Sequence, residues 1–125
     1  MRKALIVDDE QKIRRLYKEY LAAEDFEVLE AENGEQASLT LIREQNIDLV
    51  LLDIRMPIVS GAVLFDIIKL NNPNAKVLVS SVYPLEDQRR VIRGADGYFD
   101  KSEGPEVLMM RINRVLSITP KGEGG

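Results

Sequence analysis

The feature that most constrains this chain is an alternation. Short apolar runs recur along it, and each is followed by a segment of helical periodicity. The runs are Ala4-Leu5-Ile6-Val7, Glu27-Val28-Leu29-Glu30-Ala31, Leu49-Val50-Leu51-Leu52, Val77-Leu78-Val79 and Tyr98-Phe99. Three of them are apolar almost throughout, as strands buried on both faces require. Ile13, Leu16, Tyr17, Tyr20 and Leu21 follow the spacing of one helix face, and Asp9 or Glu10 stands where a cap belongs. Asn33-Gly34 precedes a second helix with Ala37, Leu41 and Ile42 inward. Gly61 precedes a third, carrying Leu64, Ile67 and Ile68 and ending near Asn71-Asn72-Pro73. Pro84 starts a short charged helix holding Arg89, Arg90 and Arg93, stopped by Gly94. Pro105 suits the first turn of a last helix with Leu108, Ile112, Val115 and Leu116 inward, and Met109 and Met110 fill its core side or edge.

The order β-α, five times over, predicts an α/β fold. It is a doubly wound sandwich of the flavodoxin-like (βα)5 type, a five-stranded parallel sheet with helices on both faces joined by right-handed crossovers. Residues 1–118 are read as one domain and 119–125 as a linker-like tail. The longest apolar run is four residues and no signal peptide is recognisable, so neither export nor a membrane span is expected.

Ligands of an open parallel sheet bind at the carboxyl ends of its strands. The first strand is followed there by Asp8, Asp9 and Glu10, the third by Asp53, the fourth by Ser80 and Ser81, and the fifth by Lys101. Each alone has an ordinary explanation as a solvated turn or a cap. Gathered at one edge, three carboxylates repel unless a cation lies among them, and hard oxygen donors suit Mg²⁺. Carboxylate, lysine, hydroxyl and metal together suit a phosphoryl group carried on a carboxylate. The composition narrows the field further. The chain has no histidine and no cysteine, which removes histidine general bases, imidazole metal sites, thiolate chemistry and disulfides. A net charge of -4 argues against nucleic acid being held by this domain.

These residues resemble a known family. Leu5-Ile6-Val7-Asp8-Asp9-Glu10, Ala31-Glu32-Asn33-Gly34-Glu35-Gln36-Ala37, the stretch from Asp48 through Asp53 to Arg55-Met56-Pro57, and Gly94-Ala95-Asp96-Gly97-Tyr98-Phe99-Asp100-Lys101 look like response regulator receiver domains over roughly residues 2–117. The resemblance implies that Asp53 accepts a phosphoryl group from a phosphohistidine on a sensor histidine kinase or histidine phosphotransfer protein. It implies Mg²⁺ (or Mn²⁺) held by Asp8, Asp9, Asp53 and the backbone carbonyl of Arg55. Lys101 would pair with phosphoryl oxygens, and Ser81 and Tyr98 would form the switch that remodels the surface of the fourth helix, fifth strand and fifth helix. The domain would catalyse its own phosphorylation and dephosphorylation without being an enzyme in the ordinary sense. A cytoplasmic location, a monomer or a phosphorylation-dependent dimer, and an output partner or effector domain outside this sequence are also implied.

On the first helix, Lys12, Leu16 and Glu19 either dock the kinase or form a solvated face. Arg89, Arg90 and Arg93 either serve an output interface or are likewise solvated. Two positions depart from the family pattern: Ser102 follows Lys101 where many receivers have proline, leaving the state of that peptide bond open, and Ser38 stands where the second helix usually presents a large apolar residue. A receiver-like module that binds or dimerises without phosphorylation is the alternative. An FMN-binding flavodoxin would need a phosphate-cradling loop where Asp8-Asp9-Glu10 stands, and the phosphate loop of nucleotide hydrolases is missing.

Overall fold

The computed structural model describes residues 1–55 and 60–117. Five parallel strands form one sheet in the order β2-β1-β3-β4-β5. They are β1 (Arg2–Val7), β2 (Phe26–Ala31), β3 (Leu49–Leu52), β4 (Lys76–Ser81) and β5 (Gly97–Asp100). The helices are α1 (Gln11–Ala23), α2 (Gly34–Arg43), α3 (Gly61–Asn71), α4 (Leu85–Val91) and α5 (Pro105–Leu116). The expected doubly wound sandwich is therefore present. No helix among the described residues is long and apolar enough to cross a membrane.

Successive strand residues point to opposite faces, so the apolar runs build two cores. Leu5, Val7, Val50, Leu52, Val77 and Val79 pack with Ala37 and Leu41 of α2 and Leu64 and Ile68 of α3. Ala4, Ile6, Leu49, Leu51, Leu78 and Phe99 pack with Tyr17 and Leu21 of α1 and Leu108 and Ile112 of α5. Each such aliphatic side chain, fully buried, contributes roughly 1.5–3 kcal/mol relative to exposure. The central strands have no polar face because both of their faces are covered.

Several expectations need correction. Strands β1 and β4 run beyond their apolar cores; β4 takes in both serines as its last rungs, Ser80 opposite Phe99 and Ser81 opposite Asp100. Ile42 is 58% exposed, because the inward stripe of α2 is Gly34, Ala37 and Leu41, and Ile42 lies a hundred-degree step off it. Leu16 is likewise 40% exposed. Its expected place on the buried stripe of α1 is taken by Arg14, with Tyr17 and Leu21. Neither Asp9 nor Glu10 caps α1 with its side chain; Glu10 holds the cap position, and its N–H is taken by Asp8 Oδ1. Helix α4 ends at Val91, so Arg93 lies beyond it, and Gly94 turns the chain with a φ of +81°. Met109 is half-buried and Met110 exposed. Ser38 is satisfied inside its own helix, its hydroxyl donating to the Gly34 carbonyl. No cis peptide bond occurs among the described residues, and Lys101–Glu103 forms a turn of 3-10 helix before α5. Met56, Pro57 and the 119–125 tail lie outside the described residues.

Candidate phosphoacceptor site

The site is assembled at the carboxyl edge of three strands. Strand β1 ends at Val7, in register with Leu52 at the end of β3, so Asp8 and Asp53 leave the sheet side by side. The ladder continues into them: Asp8 N–H donates to the Ala31 carbonyl and Asp53 N–H to the Val7 carbonyl. Their carboxylates are held in the same way. Asp8 Oδ1 accepts the Glu10 N–H at 2.9 Å, and Asp53 Oδ1 accepts the Arg55 N–H at 2.9 Å. These Asp side-chain turns leave one oxygen of each pointing at the cleft. Lys101, just past β5, bridges both, with Nζ 2.7 Å from Asp8 Oδ2 and 3.3 Å from Asp53 Oδ2.

All three groups are largely withdrawn from water. Asp8 is 1% and Asp53 4% exposed, and the Lys101 side chain 9%. Burial raises the Asp8 carboxyl above its ordinary value in spite of the Lys101 hydrogen bond. Burial also lifts Asp53 to about 6, against the Arg55 N–H and the Lys101 charge, which pull it down. Burial works against the Lys101 ammonium, but the Asp8 hydrogen bond and the charges of Asp53 and Asp8 carry it above its usual value. With Asp9 and Glu10 exposed at the rim, the cleft has more negative charge than one ammonium balances.

Asp9, Glu10, Asp53, Arg55, Val82 and Lys101 line a cleft of about 80 Å³. Carboxylate oxygens of Asp8, Asp9 and Glu10 lie within 4.8 Å of one another, a donor set fit for a hard cation. Asp53 lies outside that trio, its oxygens held by the Arg55 N–H and by Lys101. Glu10, one of the acids that follow the first strand, joins it although the family resemblance does not include it among the metal ligands.

The two serines part company. Ser80 turns toward α1, where its hydroxyl meets Tyr17 Oη at 3.0 Å. Ser81 is fully buried on the other side of the strand, and its Oγ accepts the Tyr83 N–H rather than lining the cleft. Tyr98 packs against the core of that same side. Its hydroxyl donates to the Ile92 carbonyl at 2.6 Å, and the Arg89 guanidinium lies over its ring.

Lys12, Leu16 and Glu19 are exposed on α1 and do not line the cleft that holds Asp53. Leu16 borders a small apolar cleft between α1 and α5, with Ile13, Pro105 and Leu108. Two buried residues were missed by sequence reasoning. Arg14 Nη1 donates to the Asp8 carbonyl at 2.6 Å, beneath the acidic turn. Gln88 Nε2 donates to the carbonyls of Tyr83 and Phe99, tying the loop after β4 to β5. Arg14 was signalled by its place on the Tyr17–Leu21 stripe, whereas α4 is too short for a periodicity to expose Gln88.

The family model described as response regulator receiver domain matches residues 4–113. The chain belongs to that family. The receiver is 36% identical over 118 residues to the transcriptional regulatory protein SrrA of Staphylococcus aureus, covering 92% of this chain and 48% of that protein. It is 33% identical over 117 residues to a cyclic di-GMP phosphodiesterase of Thermotoga maritima, covering 90% of this chain and 30% of that protein. The receiver thus spans about half or less of these curated relatives. Among solved structures it resembles the response regulator TrrA of Thermotoga maritima in complex with Mg(2+)-BeF, with 36% identity, a TM-score of 0.82, and coverage of 93% of this chain and 100% of that one. The receiver carries the phosphoacceptor function of two-component systems, on the flavodoxin-like α/β fold.

Proposed function

We propose that Asp53 is the phosphoacceptor, receiving its phosphoryl group from a phosphohistidine of a sensor histidine kinase or histidine phosphotransfer protein. The observation that carries this is the Lys101 ammonium bridging Asp8 and Asp53 in a buried cleft at the strand ends. An Asp53 carboxylate oxygen attacks phosphorus in line, the phosphorus–nitrogen bond breaks, and its electron pair returns to the donor imidazole. The product is an acyl phosphate on Asp53, so the imidazole this chain lacks is supplied by its partner. Lys101 faces the transferred oxygens and offsets their charge, the main demand of such a transfer. Asp8, Asp9 and Asp53, with the Arg55 carbonyl and with Glu10 beside them, would hold Mg²⁺ or Mn²⁺. The metal supplies further neutralisation of the phosphoryl oxygens.

The switch is assigned to Ser81 and Tyr98. A phosphoryl group on Asp53 offers Ser81 Oγ a charged acceptor in place of its contact with the Tyr83 N–H, and both side chains share one face of the sheet. The surface remodelled is that of α4, β5 and α5, and its output is a partner or effector domain outside this sequence. The α1 face with Lys12, Leu16 and Glu19, beside the apolar cleft next to α5, is where the kinase docks. The receiver is taken to occupy 1–118, to work in the cytoplasm, and to act as a monomer or a phosphorylation-dependent dimer. Incubation with acetyl phosphate and Mg²⁺, read by intact mass, tests the assignment: wild type gains one phosphoryl group and Asp53→Asn gains none. An unmodified wild type, or equal modification of both, would favour a module that acts by binding alone.

A further inference from the structure

Lys101 has a long side chain, yet its ammonium is held between two carboxylates to within ordinary hydrogen-bond distance. The backbone from which it springs is fixed by a circuit of four side chains and main-chain groups that none of the roles above uses. Arg111, on α5, grips Glu103 with both terminal nitrogens, Nη2 lying 2.8 Å from Oε2 and Nη1 reaching Oε1. Nη1 also donates to the Tyr98 carbonyl at 3.1 Å. Glu103 Oε1 in turn accepts the Asp100 N–H at 3.0 Å. Asp100 Oδ1 closes the turn by accepting both the N–H and the hydroxyl of Ser102, at 2.9 and 2.8 Å. Lys101 is thus enclosed by anchored residues on either side. A two-toothed guanidinium–carboxylate contact is the geometry that fixes orientation as well as distance. Gly104, with a φ of +89°, then releases the chain into α5.

We propose that Glu103 and Arg111 are positioning residues for Lys101, a clamp that sets the 3-10 turn and so aims the ammonium at Asp8 and Asp53. The proposal rests on the assignment of Lys101 to phosphoryl neutralisation. It goes beyond that assignment because neither Glu103 nor Arg111 touches the reacting atoms. Because Arg111 also holds the Tyr98 carbonyl, the clamp joins α5, the end of β5 and the Lys101 turn into one unit.

The test compares wild type with Glu103→Ala, Glu103→Gln and Arg111→Met at saturating Mg²⁺. Acetyl phosphate phosphorylation is followed by intact mass, and the ε-methylene NMR signal of Lys101 is followed in lysine-labelled protein. That signal is identified by its loss in Lys101→Arg. Glu103→Ala is expected to slow phosphorylation roughly ten- to hundredfold and to move the Lys101 signal toward that of a free lysine. Glu103→Gln keeps one acceptor, for the Asp100 N–H and Nη1 of Arg111, but loses the second tooth, so it should restore the signal and the rate only in part. Arg111→Met should reproduce Glu103→Ala, and it stands in for it should that variant fail to fold. An unmoved Lys101 signal with a rate within twofold of wild type overturns the clamp. So does a slow Glu103→Ala whose Lys101 signal is native, since the loss then arises elsewhere. Should wild type itself accept no phosphoryl group, the assignment of Asp53 fails, while the Lys101 signal still decides the clamp.

Discussion

Lys101 and Asp8 form a closer pair than Lys101 and Asp53, 2.7 Å against 3.3 Å, although Asp53 is the proposed acceptor. The ammonium is therefore anchored on the neighbouring acid and leans toward the reacting one. Asp8 serves Asp53 by holding its cation, and the acceptor keeps an oxygen that is only partly committed.

Replacing Lys101 by Met strands two buried carboxylates without their cation. The expected cost is about 3 kcal/mol of folding stability at neutral pH, less where the acids escape by taking up protons. Urea denaturation at pH 7 and pH 5 measures both parts, and the loss should be smaller at pH 5. A variant as stable as wild type at pH 7 would mean that the bridge contributes nothing.

The raised Asp53 carboxyl gives two opposite pH trends. Its value of about 6 in the folded chain lies above the ordinary 3.8, so the folded state binds the proton more tightly than the unfolded one. This single group therefore makes the fold less stable as pH rises from about 4 through about 6, and the deficit persists above that. Asp53→Asn removes the buried charge and keeps an acceptor for the Arg55 N–H. It should be more stable than wild type by about 1–3 kcal/mol at pH 7, with an advantage that shrinks toward pH 4. Phosphorylation runs the other way, because the attacking group must be ionised. Its rate with acetyl phosphate should fall as the medium turns acid, with a midpoint below about 6 once Mg²⁺ is bound, since the cation favours the ionised carboxylate. Thermal melts of the two proteins across pH, and a pH-rate profile of wild type, check the pair of trends.

On α2, two adjacent aliphatic residues should behave differently. Leu41 is fully buried and Ile42 is 58% exposed. Leu41→Ala is expected to cost about 2–5 kcal/mol, and Ile42→Ser to stay within about 0.5 kcal/mol of wild type. Denaturant midpoints give the comparison directly; a large loss at Ile42 would place it in the core after all.

Gln88 should act on the loop rather than on the chemistry. Its amide nitrogen ties Tyr83 to Phe99 beside the proposed switch residues, while its Oε1 is buried without a partner among the described residues. Gln88→Met removes both ties and relieves the unpaired oxygen, so its net cost should be modest, about 1 kcal/mol. Amide hydrogen exchange in the loop after β4 should nonetheless accelerate severalfold, with exchange in β1 unchanged.

These cases show which features the sequence disclosed. The β-α order and the edge at which Asp8, Asp53 and Lys101 meet follow from hydrophobic runs and from the residue that ends each one. Periodicity says which face of a helix is apolar but not how wide the buried stripe is, so it places Leu16 and Ile42 inward. It also passes over a charged residue on that stripe, as it does at Arg14. The contact of Ser80 with Tyr17 depends on strand pleat and on a residue distant in the chain, and that of Ser81 with the Tyr83 N–H on the turn that follows β4. The Glu103–Arg111 grip spans a turn and two helical turns, and no local pattern announces it.

The sheet order has a mechanical consequence. Asp8 and Asp53 are mounted on β1 and β3, which are flanked by strands on both sides, whereas Lys101 hangs from β5 at the rim. The anions sit on the interior of the sheet and their counter-charge on an edge strand, which has a neighbour on one side only. The two acids are thus held by the sheet itself, and their counter-charge by the helix that grips its edge through Glu103 and Arg111.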